Sequence, residues 1–460
     1  MANRVEFNPD LPDIAESNTL WERARGLIPA GTQTLAKGPT QFSDGVAPKY
    51  LIKGKGARVW DVDGNEYLDY NMGIGPIVLG YCHPAVDAAI RAQLEDGITF
   101  SLMHPLEVEL AELLRDCIPN TEAVRFSKTG CDVTSAAVRL ARAFTGRERI
   151  LCCGYHGWHD WYIGVTDRCA GVPEAVKALT HTVNYNDLQS VIDAVDEDVA
   201  CVILEPFVFE RENGHFLSGL REVCDRLGVL LIFDEMWTGF RCAVGGAQEF
   251  LGVRSDLSLF SKAMANGMPI SAITGRGDVM ALLEKEVFFY TTFGGEALSL
   301  AASVACIDFM RKNDVTARLA QSGQRLLDGL NGLIRERGLE TVSVTGYPFR
   351  TLMTFSPKAG DPLKLKTLVQ QELIRRGILW SGIHNLCFSH SDADIDYTIA
   401  AFGEAFAVLE AAVATGRVDA ELRGAPLQPV FRKTSQFHSK PRRKDDEALL
   451  ASGPLNRNVA

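Results

Sequence analysis

The feature that most constrains this chain is an unbroken apolar run, Val229-Leu230-Leu231-Ile232-Phe233, that stops at two acids, Asp234 and Glu235. A strand with no polar side is buried on both faces, which belongs to the middle of a parallel sheet covered by helices. In such sheets ligands gather beyond the carboxyl ends of the strands, and that is where Asp234 stands. Around this run the pattern alternates. Helical periodicity over 106–117 precedes a strand at 124–126 and a helix over 133–144; strands at 150–153 and 199–204, a helix over 219–227 and short strands near Leu257 and Ile270 follow. Strands separated by helical stretches predict an α/β fold, with a large domain built on a mostly parallel sheet and right-handed crossovers.

The flanks read differently. Residues 12–28 predict an amphipathic helix with Ile14, Leu20, Trp21, Ala24 and Leu27 on or near one face, and alternation around Gly64-Asn65 predicts a hairpin over 58–70. Beyond about 326, half-exposed strands at 341–344 and 351–355, a helix opened by Asp361-Pro362 and closed by Gly377, and a long helix over 393–414 predict a smaller α+β domain. The expected division is therefore an N-terminal arm with part of the small domain (1–75), a large domain (76–325), a C-terminal small domain (326–415) and a polar tail (416–460) whose basic runs at 432–433 and 440–444 read as solvated chain.

Composition narrows the function classes. A net charge of −11 argues against a general nucleic-acid or anionic-membrane binder, which needs a positive face. No apolar run approaching ~18 residues and no secretory leader are read from the sequence, so a cytoplasmic enzyme acting on small molecules is expected. Eleven cysteines without a CxxC spacing suit reduced thiols. His156-x-x-His159 lacks a nearby third ligand, so no metal site is expected.

The chemistry lies in two residues. A carboxylate at Asp234 can keep a ring nitrogen protonated, and Lys262, in Ser261-Lys262-Ala263, can form a Schiff base with an aldehyde. Those are the catalytic groups a pyridoxal 5′-phosphate (PLP) enzyme must supply. Taken singly, a loop cap and a surface charge fit equally well. Lys128-Thr129-Gly130-Cys131-Asp132 joins a strand to a helix, and free N–H groups at a helix start make an anion site. A dense aromatic stretch runs from Tyr155 to Tyr162.

With Thr238-Gly239-Phe240-Arg241 after the acids and Ala263-Met264-Ala265-Asn266-Gly267-Met268-Pro269 after the lysine, the chain resembles the class III aminotransferases. Within them it is similar to the glutamate-1-semialdehyde 2,1-aminomutase-like branch, over about 20–414. The resemblance implies the PLP-dependent transferase fold type I and a set of cofactor contacts. Thr129, Gly130 and Cys131 occupy the phosphate-binding positions, with Cys131 a departure from a hydroxyl residue, so backbone N–H groups and Thr129 are expected to carry more of that contact. Tyr155-His156-Gly157 matches the ring-stacking motif, with Tyr155 on one face of the ring and Met236 on the other. Glu205-Pro206 implies a carboxylate near the cofactor's oxygen; a structural pairing of Glu205 with Arg241 stays open. Thr292 stands where the family reaches the phosphate of a partner subunit, implying a homodimer with shared sites, although Glu296-Ala297 departs from the usual loop.

The implied activity is amino transfer from a small-molecule donor to an aldehyde or ketone acceptor. Ile74, a short 163–184 segment and no glutamate near His384-Asn385-Leu386 argue against true glutamate-1-semialdehyde isomerisation. Trp158 and Trp161 read as a wall that would accept a polyol or sugar-like substrate. An intramolecular aminomutase, a decarboxylase of the same fold and a non-catalytic PLP-fold regulatory protein are the alternatives.

Overall fold

The computed structural model describes residues 10–207 and 209–428. The start of the chain and the basic runs at 432–433 and 440–444 lie outside the described residues. Near the N-terminus, helix Ala15–Arg25 is shorter than expected; Ala24 packs inward, whereas Leu27, past its end, is 81% exposed. The Asp63 carboxylate accepts the N–H groups of Glu16 and Ser17 and fixes the helix start. Strands β1 (Leu51–Lys55), β2 (Arg58–Asp61) and β3 (Glu66–Asp69) form an antiparallel meander, with β2 and β3 the expected hairpin. β1 escapes sequence reading because none of its side chains is buried, so it has no alternation to detect.

The main sheet has seven strands: β4 (Ala123–Ser127), β5 (Arg149–Cys153), β6 (Thr180–Thr182), β7 (Val199–Leu204), β8 (Leu230–Asp234), β9 (Leu257–Phe260) and β10 (Ser271–Gly275), in the order β4-β10-β9-β8-β7-β5-β6. Only β10 runs backwards, antiparallel to both β9 and β4. All other pairings are parallel. β4 therefore points the same way as β5, β7, β8 and β9, and the carboxyl ends of all five share one edge.

The apolar strands are explained by their two covers. Ile203 and Ile232 pack in one cluster with Val133, Ala137 and Leu140 of helix Gly130–Thr145. Val202, Leu204, Leu231 and Phe233 pack in another with Phe216, Leu217 and Leu220 of helix Phe216–Leu227. Alternate residues of each strand thus face opposite helical layers, so neither face of β8 can tolerate a polar residue. Truncating Phe233, fully buried, would cost roughly 3–5 kcal/mol.

Strands β11 (Val342–Tyr347) and β12 (Arg350–Phe355) form a hairpin, β13 (Ile378–Leu379) pairs in parallel with β3, and β14 (Ile383–Asn385) pairs with β12. The β3–β13 pairing ties the N-terminal meander to the C-terminal region. Helix Pro362–Arg375 starts as its sequence signals predict, with the Asp361 carboxylate accepting the Leu363 N–H at 2.8 Å. Helix Asp392–Ala414, although interrupted by acids, is by length and composition long and apolar enough to cross a membrane. Its Ile395, Phe402, Phe406 and Leu409 are instead buried in the protein core.

Candidate active site

The shared strand edge gathers the residues singled out in the sequence. Asp234 ends β8 with 1% of its surface exposed. Its Oδ1 accepts the Met236 N–H at 3.1 Å, and its Oδ2 lies 2.8 Å from His156 Nδ1. His156 Nε2 is 3.1 Å from the Cys153 carbonyl, which can only accept, so Nε2 carries a proton. His156 holds Asp234 in place from behind; its role is positioning.

Lys262 follows β9 and opens a single tight turn, Lys262–Ala265. Its backbone lies in the left-handed region, at φ 42°, which a side-chain-bearing residue adopts only when its surroundings enforce it. The enforcement is visible: Ser261 Oγ donates to the Ile270 carbonyl at 2.6 Å, and Ala263, Met264 and Ala265 are buried. The amine sits 4.0 Å from the centre of the Trp237 ring. Burial pulls its pKa down to about 8, against the carboxylates of Glu205 and Asp234 and with help from Arg350 and Arg241. An amine so placed loses its proton readily and becomes nucleophilic near neutral pH.

Glu205 follows β7 directly. Its Oε1 accepts the Tyr155 N–H at 2.8 Å, while Oε2 is buried without a hydrogen-bond partner. Burial, then the charge of Asp234, pushes its pKa up; Arg350 opposes this. The pairing with Arg241 left open by the sequence is not formed. Arg241 donates instead to the carbonyls of Leu386 (2.8 Å) and Gly75 (2.7 Å), clamping distant chain segments together. Glu235, the second acid, is structural: it accepts from Thr238 Oγ1 and from the Ala247 N–H at 2.8 Å, and burial raises its pKa to about 7.

At the other end, Thr129 caps helix Gly130–Thr145 through a reciprocal pair with Asp132. The N–H groups of Gly130 and Cys131 belong to the first helical turn, which has no acceptors of its own. The glycines let this corner pack closely: a Cβ on Gly130 would meet Met236 Sδ at 3.0 Å, and one on Gly157 would meet Cys131 Sγ at 2.5 Å. Burial raises the Cys131 pKa, keeping a neutral thiol. Glu296, the departure in the later loop, pairs with Lys128 at 2.8 Å and accepts the Leu298 N–H at 2.7 Å, so it caps helix Ala297–Lys312 while bracing the turn before Thr129.

Tyr155 is half-exposed at this edge and packs edge-on against Tyr162. Thr292 is exposed and forms no hydrogen bond within the described residues of this chain. The expected tryptophan wall is not formed. Trp161 is buried, donates to Ser135 Oγ at 3.1 Å and stacks behind His156, whereas Trp158 is 68% exposed. The tryptophan beside the lysine is Trp237. Arg350, at the start of β12, was the other residue hidden from the sequence: its guanidinium carbon lies 3.7 Å from the Trp237 ring centre. A charged residue opening a strand otherwise fit for a core was the available signal.

These groups fit PLP: a depressed amine, a braced acid at the end of the neighbouring strand, and a helix start with free N–H groups. The class-III aminotransferase family model matches residues 43–385. The chain belongs to the class-III aminotransferases. As a member it is a PLP-dependent enzyme. It is 35% identical over 407 residues to 3-aminobutyryl-CoA aminotransferase of Cloacimonas acidaminovorans (strain Evry), covering 86% of this chain and 97% of that one. To glutamate-1-semialdehyde 2,1-aminomutase of Syntrophobacter fumaroxidans (strain DSM 10017 / MPOB) it is 34% identical over 424 residues, covering 85% and 97%. Among solved structures, the FumI protein of Sphingopyxis sp. MTA144 with PLP superposes with a TM-score of 0.81 at 30% identity, covering 87% of this chain and 97% of that one.

Proposed function

We propose that this class-III aminotransferase moves an amino group from a small-molecule donor to an aldehyde or ketone, with Lys262 as the catalytic base. The observation that carries this reading is the Lys262 amine, depressed to about 8 and set on the same edge as the Asp234–His156 pair. PLP, when bound, supplies an aldehyde that takes up amines and a ring that withdraws electrons. Lys262 Nζ would be the group that holds the cofactor, and as a free amine of depressed pKa it would serve as the base that carries a proton. Asp234, braced by His156, would keep the ring nitrogen protonated. Thr129 with the Gly130 and Cys131 N–H groups would hold the phosphate, Tyr155 and Met236 would flank the ring, and Glu205 would serve its oxygen side.

Assembly as a homodimer accounts for a run of exposed apolar side chains, among them Ile98, Phe100, Leu102 and Met103 on one segment and Phe288 and Phe293 on another. The two segments adjoin, because the Ala297 N–H donates to the Ile98 carbonyl. Exposed Thr292 lies between Phe288 and Ala297, in position to serve a second copy, and a cytoplasmic setting suits the free cysteines.

A spectral half-reaction tests the function. Holoenzyme mixed with amino donors should lose its visible PLP absorption and regain it on adding a carbonyl acceptor; no change with any donor would refute amino transfer. Similarity to an aminomutase favours one second reading, intramolecular transfer, which would show as turnover of a single amino-carbonyl compound with no acceptor added.

A further inference from the structure

Lys128 stands one residue before Thr129, and Glu296 stands a few residues past Thr292 where the loop departs from the family's usual form. The two meet: Lys128 Nζ lies 2.8 Å from Glu296 Oε2 and donates to Ser299 Oγ at 3.2 Å. Glu296 is 9% exposed, and its Oε1 accepts the Leu298 N–H at 2.7 Å. Burial works against its charge, but the hydrogen bonds from Lys128 and Ser299 outweigh it and hold the carboxyl below the usual carboxylate range. Ser299 Oγ lies 2.6 Å from Glu296 Oε2 and 3.2 Å from the Pro269 carbonyl, on the segment that follows Lys262. One knot therefore joins the start of the phosphate turn, the root of the Thr292 loop and the segment after the lysine.

Between its ends the loop is loosely bonded. Thr291, Thr292 and Phe293 are exposed, and the internal bonds are long, from the Gly294 N–H to the Thr291 carbonyl at 3.3 Å and from the Glu296 N–H to the Phe293 carbonyl at 3.2 Å. Gly294 rests on β4, since a Cβ there would come within 3.0 Å of the Phe126 carbonyl oxygen. Directed contacts sit at the two ends. At the near end Arg125, on β4, donates to the Phe289 carbonyl at 2.9 Å and packs on the Tyr290 ring. At the far end the Lys128–Glu296 pair does the same work from the turn that follows β4. Thr292 is thus carried on a span pinned at both ends to the strand and turn that lead into Thr129.

We propose that the Lys128–Glu296 pair is a strut that positions Thr292 for the phosphate of a cofactor held by a second copy of this chain, so that the turn serving a subunit's own phosphate also sets the loop lent to its partner. This rests on the homodimer reading above and adds positioning residues to it. A hydroxyl contributes to phosphate binding only when it arrives at hydrogen-bonding distance and angle, so loosening the root of the loop loses the contact without removing the donor. Neutralising one member of a part-buried pair leaves the other uncompensated, which loosens the root more than loss of an exposed pair would.

The test uses full-length heterodimers made by co-expressing two differently tagged chains, one of them carrying Lys262→Ala, so that the visible absorption of tethered PLP counts only the other chain's site. In the first arrangement the Lys262→Ala chain also carries Glu296→Gln, and the counted site keeps its own turn but borrows the altered loop. In the second, Glu296→Gln lies on the chain whose site is counted, and the borrowed loop is intact. PLP affinity, measured by equilibrium dialysis and absorbance, should fall about 10-fold in the first arrangement and change less than about threefold in the second. Thr292→Ala placed as in the first arrangement should also weaken binding about 10-fold. If the Glu296→Gln chains do not assemble, Glu296→Asp, which keeps the charge but shortens the reach to Lys128, is read in the same two arrangements. Equal losses in both arrangements, or none in the first, would reduce the pair to a local helix cap and overturn the strut, while a Thr292→Ala loss would still uphold the shared site. No loss with Thr292→Ala, or chains that never pair, would remove the homodimer reading and the strut with it.

Discussion

Asp234 and Glu205 end neighbouring strands of one sheet, yet their surroundings differ in kind. Around Asp234 both carboxylate oxygens and both nitrogens of His156 have partners. Around Glu205 and Arg350, three buried polar atoms have none. The first arrangement is complete before anything binds, as a group that must stay charged requires. The second leaves its bonding unfinished. The contrast separates a rigid cofactor end from an end whose polar groups are not all spent.

The largest test of this contrast removes the group between the two ends. Lys262→Ala should cut turnover at least ~10⁴-fold and abolish covalent attachment of PLP, read by absorbance after gel filtration. Asp234→Asn keeps the shape but loses the charge, and should lower the half-reaction rate roughly 10²- to 10³-fold with cofactor still bound; a near-wild-type rate would break the assignment of the cofactor end.

Glu235 sharpens the comparison because it adjoins Asp234 without belonging to either end. Its pKa rises from 4.5 unfolded to about 7 folded. Between those values the folded state keeps a proton that the unfolded chain has released, so this group's contribution to stability falls as pH rises through that window. Above it the cost is roughly 3 kcal/mol. Glu235→Gln should flatten this part of the melting-temperature profile between pH 5 and 7.5 and leave kcat within a few fold. The smallest effect is expected from Cys131→Ser, which offers the phosphate a hydroxyl in place of a neutral thiol and should tighten PLP binding several-fold, measured by equilibrium dialysis.

The same contrast sets what the sequence discloses. β8 and its acids are legible because burial on both faces forbids polar residues, so the chain must spell out the strand. Thr129, Glu205, Asp234 and Lys262 each sit at or just past a strand end, where local pattern and position coincide. Arg350 and Trp237 escape because no local pattern ties them to the site: Arg350, though a charge opening a core-like strand, reaches the site only through the β11–β12 hairpin, and Trp237 follows Met236 as any loop aromatic would. Trp161 misleads for the converse reason, since an aromatic cluster in sequence says nothing of which ring is buried behind the site. β6, three residues of Thr-His-Thr, has no apolar signal at all.

The central claim, that PLP is tethered through Lys262 at the end of this sheet, is tested most directly by borohydride reduction of the holoenzyme followed by peptide mass analysis. The account predicts one pyridoxyl-phosphate increment, on the peptide carrying Lys262. An increment on another lysine, or none on a coloured and active preparation, would contradict it.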